Sequence, residues 1–143
     1  MEIRSRACHT LGIAFIPFSP LARGMLGDTA LPQPTDGFRS ANPRFTKPNF
    51  TCNTRQTNTF RSFCAARGWS TPATALAWVL SRGDHLIPIP GTRSATHLRQ
   101  LAHAPDITLT PNDLAEIDRL LPPGFAAGDR YGDQQLLVVK RYC

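Results

Sequence analysis

The sequence predicts an α/β fold in which parallel strands alternate with helices. Three observations carry this. Two short apolar runs, residues 11–18 (LGIAFIPF) and 86–90 (LIPIP), are apolar on both faces and sharply punctuated, as buried parallel strands are. Helical patterns lie between them and after them. Finally, 143 residues suit one domain. A complete (β/α)8 barrel usually needs about 200 residues or more, so any barrel signature here is partial.

In chain order, the first apolar run ends at Ser19-Pro20. Residues 19–50 then read as a long loop rich in Pro, Gly, Asn and Thr, and loops of that length are usually functional or mobile. Helical spacing returns over residues 53–68. Phe60, Phe63, Cys64 and Arg67 recur at intervals of three and four, and Gly68 is a natural stop. A second helix follows, capped by Ser70 or Thr71, with Pro72 in its first turn and the strong helix formers ATALAWVL behind it. Gly83-Asp84 breaks the pattern before the second apolar run. Gly91-Thr92 turns the chain into a helix over residues 94–104. Thr110-Pro111-Asn112-Asp113 opens the last helix with a cap, a first-turn proline and an acidic residue three positions after the cap, ahead of Leu114, Ile117, Leu120 and Leu121. After Pro122-Pro123-Gly124 comes a tail whose QQLLVV stretch is apolar enough to pack on something.

The formal charge of +6 favours an anionic partner. The basic residues are scattered from Arg4 to Arg99 rather than massed with aromatics, which argues against nucleic acid. No apolar run reaches the roughly 18 residues of a membrane span, and residues 1–10 lack the apolar stretch of a signal peptide. A soluble cytoplasmic protein is expected. Cys8, Cys52, Cys64 and Cys143 form no C-x-x-C pair, and the four histidines show no ligand spacing with them, so free thiols and no metal site are expected.

Two loops stand out, at the carboxyl ends of the two apolar runs, where parallel α/β folds bind ligands. They are Phe18-Ser19-Pro20-Leu21-Ala22-Arg23-Gly24 and Pro90-Gly91-Thr92-Arg93-Ser94. Each has glycine for close approach, backbone N–H groups, hydroxyls and an arginine, the parts of an anion site. Taken one at a time, Phe18 reads as a core aromatic and Arg23, Arg39 and Arg93 as solvated charge.

Together these motifs resemble a family. GIAFIPFSPLARGMLG resembles the seventh strand and following loop of aldo-keto reductases. FRSANPRF, ALAWVLSRGDHLIPIPGTRS and LTPNDLAEIDRLLPPGFAAGDRY continue the match in the family's order, covering residues 11–131. The resemblance implies a single incomplete domain over residues 1–143, the C-terminal part of a (β/α)8 TIM barrel, and NADP(H) as cofactor. It implies that Phe18 stacks on the nicotinamide and that Ser19, Pro20, Leu21, Ala22 and Arg23 hold the pyrophosphate. Gly91 lets the backbone approach, Thr92 and Arg93 bind the 2′-phosphate, and Arg39 covers the cofactor. His97 stands where better-known members have an arginine. Gln100-Leu101 replaces the usual acidic residue and asparagine that grip the adenine, with Gln100 as a substitute.

The family reduces a small-molecule carbonyl compound with a tyrosine proton donor tuned by a lysine, an aspartate and a histidine from the first half of the barrel. Nothing before Leu11 resembles that half, and Tyr131 and Tyr142 do not match the acid. The isolated chain is therefore expected to be inactive, a truncated copy that leaves apolar edges uncovered. A non-catalytic nucleotide-binding or partner-pairing remnant is the alternative.

Overall fold

The computed structural model describes residues 2–133. The helices are α1 Glu2–Thr10, α2 Gly37–Ser40, α3 Asn49–Ala65, α4 Thr71–Leu80, α5 Ala95–Ala102 and α6 Pro111–Leu120, with 3-10 turns at Ala22–Gly24, Pro43–Phe45 and Ala104–Asp106. α4 is the axis of the packing. Its sequence TPATALAWVL is apolar around most of its circumference, so it must be covered on several sides, and residues 71–77 and Val79 are buried. On one side Ala75 joins Phe60, Phe63 and Cys64 of α3, Ile117 of α6, and Leu26. On the other, Ala73 and Leu76 meet Leu101 of α5 and Ala104. A third cluster, Met25, Phe45 and Phe50, underlies the long loop.

The helix starts follow capping chemistry. α6 has a full capping box: the Thr110 hydroxyl accepts from the Asp113 N–H, and the Asp113 carboxylate accepts from the Thr110 N–H at 3.0 Å. Asp113 also pairs with Arg67 from the turn after α3 at 2.8 Å. Ser94 caps α5 by accepting from the His97 N–H at 3.3 Å. α4 is capped from a distance. Ser70 sits at its N-cap without a side-chain cap bond, and the Asp28 carboxylate accepts from the Thr71 N–H at 2.7 Å instead. Trp78 Nε1 and Arg82 both donate to Asp118, tying α4 to α6.

Several expectations need correction. The two apolar runs touch in parallel sense at Phe15–Leu86 and Phe18–Ile89, as isolated bridges rather than strands. Pro17, Pro88 and Pro90 remove ladder donors, leaving the bonds from Phe15 N–H to the His85 carbonyl (2.7 Å) and from Ile87 N–H to the Phe15 carbonyl (3.0 Å). The runs are not buried on both faces either: Leu11, Ile13, Ile16, Ile87 and Ile89 are each more than half exposed. α3 begins at Asn49, not residue 53, and α5 spans Ala95–Ala102 rather than residues 94–104. The long loop is not structureless, since it holds α2 and two 3-10 turns. α1 was not anticipated; the Ser5 hydroxyl and His85 Nε2, 2.9 Å apart, anchor it. The QQLLVV stretch lies outside the described residues. Among the described residues no helix is long and apolar enough to cross a membrane.

Asp28→Ala, which uncaps α4, is expected to lower unfolding free energy by about 1 kcal/mol in urea melts. The Asp113 carboxyl is held below its ordinary range by its bond from the Thr110 hydroxyl, with Arg67 adding to it. A depressed carboxyl stabilises the fold above the unfolded value of about 3.9, and the contribution is lost as pH falls through the folded value. Stability should therefore drop on acidification below about pH 4, and less steeply in Asp113→Asn.

Candidate functional site

The bridge between Phe18 and Ile89 sends both candidate loops out at one end of the paired segments. The first loop is strained. Ser19, Ala22 and Arg23 have φ of 55°, 50° and 59°, a left-handed conformation that costs a non-glycine residue energy and persists only where the surroundings enforce it. Gly24 follows at φ 97°.

The enforcing contacts are specific. Leu21 packs on the core clusters of α3, α4 and α6, as does Ala22, so these side chains face inward and the loop presents its backbone. Arg61 of α3 reaches over to donate from Nε to the Gly27 carbonyl at 2.7 Å and from Nη2 to the Met25 carbonyl. Arg39 Nε donates to the Arg23 carbonyl at 2.9 Å. Its guanidinium lies so close to Gly24 that a Cβ there would sit 3.2 Å from Nη2.

Arg23 Nη1 in turn donates to the Arg130 carbonyl at 2.9 Å, and its guanidinium lies 5.0 Å from the Phe38 ring centre and 5.4 Å from that of Tyr131. Burial pushes the Arg23 and Arg44 guanidiniums below their ordinary pKa, and nearby Arg130 acts in the same direction on both. Phe18 is 48% exposed and carries the Arg130 guanidinium 4.4 Å from its ring centre.

Arg130 was not singled out from the sequence. It lies 112 positions from Phe18 along the chain, so local pattern held no sign of the contact. Two fully buried asparagines place it. Asn42 Nδ2 donates to the Arg130 carbonyl at 2.9 Å. Asn53 Nδ2 donates to the carbonyls of Arg44 and Ala127, and its Oδ1 accepts from the Ala127 N–H at 2.8 Å.

The second loop is open. Gly91, Thr92 and Arg93 are exposed, and the Thr92 hydroxyl accepts from the Ser94 N–H at 3.2 Å, directing the chain into α5. These residues sit at the N-terminus of that helix, the positive end of its dipole. His97 is exposed. Gln100 Nε2 donates to the Asp28 carboxylate at 3.2 Å, so its amide is engaged by the residue that caps α4. Leu101, a departure from the expected polar pattern, is buried in the α4 cluster. Among the described residues no group of three His, Cys, Asp or Glu side chains could hold a metal ion.

The comparisons agree with this architecture. The model of the Aldo/keto reductase family matches residues 2–122, and the chain belongs to that family. It is 39% identical over 127 residues to a Glycine max protein named "Probable aldo-keto reductase 1", across 87% of this chain and 36% of that one. Among solved structures it is similar to a glycerol dehydrogenase of Gluconobacter oxydans, with a TM-score of 0.70 and 26% identity over 81% of this chain and 36% of that one. The chain thus spans about 36% of the length of each relative. The family's fold is the (β/α)8 barrel, of which this chain carries a part, and its members are oxidoreductases.

Asn53→Ala strands buried polar groups on both the tail and the Arg44 carbonyl. It is expected to lower unfolding free energy by about 3 kcal/mol, read by urea titration.

Proposed function

We propose that this chain is the nucleotide-binding part of an NADP(H)-dependent aldo-keto reductase that converts aldehydes or ketones to alcohols. The observation that carries the proposal is the pairing of a strained, backbone-presenting loop at Ser19–Arg23 with the open N-terminus of α5 beside Arg93, both at one end of the bridged segments. Loops of this kind accept phosphates through backbone N–H groups and an arginine fork.

These residues fit a phosphorylated dinucleotide. Arg93 and Thr92 take the 2′-phosphate, and the Ser19–Arg23 backbone takes the pyrophosphate under Arg39. The Phe18 face not covered by Arg130 stacks on the nicotinamide. Bound NADPH supplies the hydride. Phe18 orients the ring that carries it, and the clamped loop keeps that ring from shifting relative to the phosphate anchors.

The proton donor and the walls that hold the carbonyl substrate are assigned to polypeptide outside these 143 residues, because neither Tyr131 nor Tyr142 matches the family's acid. The free thiols at Cys8, Cys52 and Cys64 support a reducing compartment, and we assign the chain to the cytoplasm. A second reading, a non-catalytic nucleotide-binding or partner-pairing protein, draws support from the exposed apolar side chains Ile13, Ile16, Ile87 and Ile89.

NADPH binding measured by calorimetry is expected to be weak but saturable. Arg93→Ala should weaken it about tenfold or more while leaving NADH binding unchanged, since one charge-assisted contact to the 2′-phosphate is lost. Equal effects on the two dinucleotides would overturn the 2′-phosphate assignment. The chain alone should show no carbonyl-dependent NADPH oxidation, and sustained turnover would refute the division of labour proposed here.

A further inference from the structure

Behind the strained loop lies a cavity of about 290 Å³, which shares Phe18, Ser19, Pro20, Ala22 and Arg23 with the proposed dinucleotide site and extends from them between α3, α4 and α6. Phe18, Phe60 of α3 and Trp78 of α4 form apolar wall, and Arg23, Arg44 and Arg130 line it as well. The arginines are bonded to neutral groups. Arg23 donates to the Arg130 carbonyl, Arg44 Nε donates to the Gly128 carbonyl at 3.2 Å, and Arg130 lies on the Phe18 ring.

Among the described residues none of the three forms an ion pair with a carboxylate; Asp129, the acid that faces Arg44, stays beyond ion-pair reach. Burial is the first cause that disfavours the Arg44 charge, and the like charges of Arg130 and Arg23 act in the same direction. Three like charges at the edge of an apolar chamber attract an anion, and the chamber selects one with an apolar body. Its volume lies at the small end of ligand pockets, which suits a single short chain rather than a nucleotide.

We propose that this cavity binds an amphipathic monocarboxylate, its alkyl or arylalkyl body against Phe18, Phe60 and Trp78 and its carboxylate on the guanidiniums of Arg23, Arg44 and Arg130. A carboxylate accepts from an arginine fork in bidentate fashion, which the carbonyls now bonded to Arg23 and Arg44 cannot do.

The test titrates the full 143-residue chain with octanoate and, in parallel, with octan-1-ol, following tryptophan fluorescence and calorimetry. Octanoate should bind saturably and at least tenfold more tightly than octanol. Arg44→Gln should weaken octanoate at least tenfold and leave octanol unchanged. Ala75→Leu, which fills the cavity from α4, should abolish binding of both.

Absence of saturable octanoate binding, equal affinity for the alcohol, or octanoate binding retained by Ala75→Leu would each overturn the proposal. Should Arg44→Gln fail to fold, the Ala75→Leu result decides alone. NADPH titrations of the same proteins separate the two assignments, which share Phe18 and Arg23: octanoate binding without NADPH binding sinks the dinucleotide assignment only, and the reverse result sinks this one only.

Discussion

Everything around the candidate site serves to hold one stretch of backbone in a conformation it would not choose. Three non-glycine residues in five, Ser19, Ala22 and Arg23, sit in the left-handed region, and no local sequence preference explains that. The hold comes from three directions: Leu21 and Ala22 are pulled into the core, Arg61 grips the carbonyls that follow, and Arg39 and the tail at Arg130 close over the front. Strain of this kind concentrates where a backbone must be presented to a ligand, and here it coincides with the loop whose sequence resembles a cofactor-binding segment.

The helical core and the bridged apolar segments have unequal shares of burial. α3, α4 and α6 interdigitate with small and aromatic side chains, and α6 is closed by its own capping box while Asp28 caps α4 from the loop. Among the described residues the segments around Phe15 and Leu86 bridge only to each other, and a two-stranded pairing is marginal without a third strand or a covering layer. In the family barrel such segments have neighbours on both sides. The apolar side chains at Ile13, Ile16, Ile87 and Ile89 are each more than half exposed.

The sequence made the helices legible because their signals are local. The Thr110–Asp113 box, Pro72 in the first turn of α4 and Ser94 before α5 each act within a few residues, and the helices start where those residues stand. The apolar runs misled because a strand is a property of its partners: LGIAFIPF reads as strand, yet with Pro17 in it the run makes two isolated bridges among the described residues. α1 escaped notice because its polar sequence EIRSRACHT has no apolar face to recognise, and it is anchored at residue 85. In the site, the residue types of the two loops were readable, whereas Arg130, Asn42 and Asn53 act across gaps that no spacing rule spans. Leu101 shows the converse, since a position read as a loss to ligand binding proves to be a core contact.

The clamps on the left-handed loop join a guanidinium to a peptide carbonyl in each case: Arg61 to Met25 and Gly27, Arg39 to Arg23, Arg23 to Arg130. None of these clamps contains a carboxylate, and a peptide oxygen has no proton to gain. Acid that releases the carboxylate at the start of α6 leaves this anchorage intact. The helical joint and the loop therefore come apart under different solvents, the first by protonation and the second only by agents that compete for the carbonyls themselves.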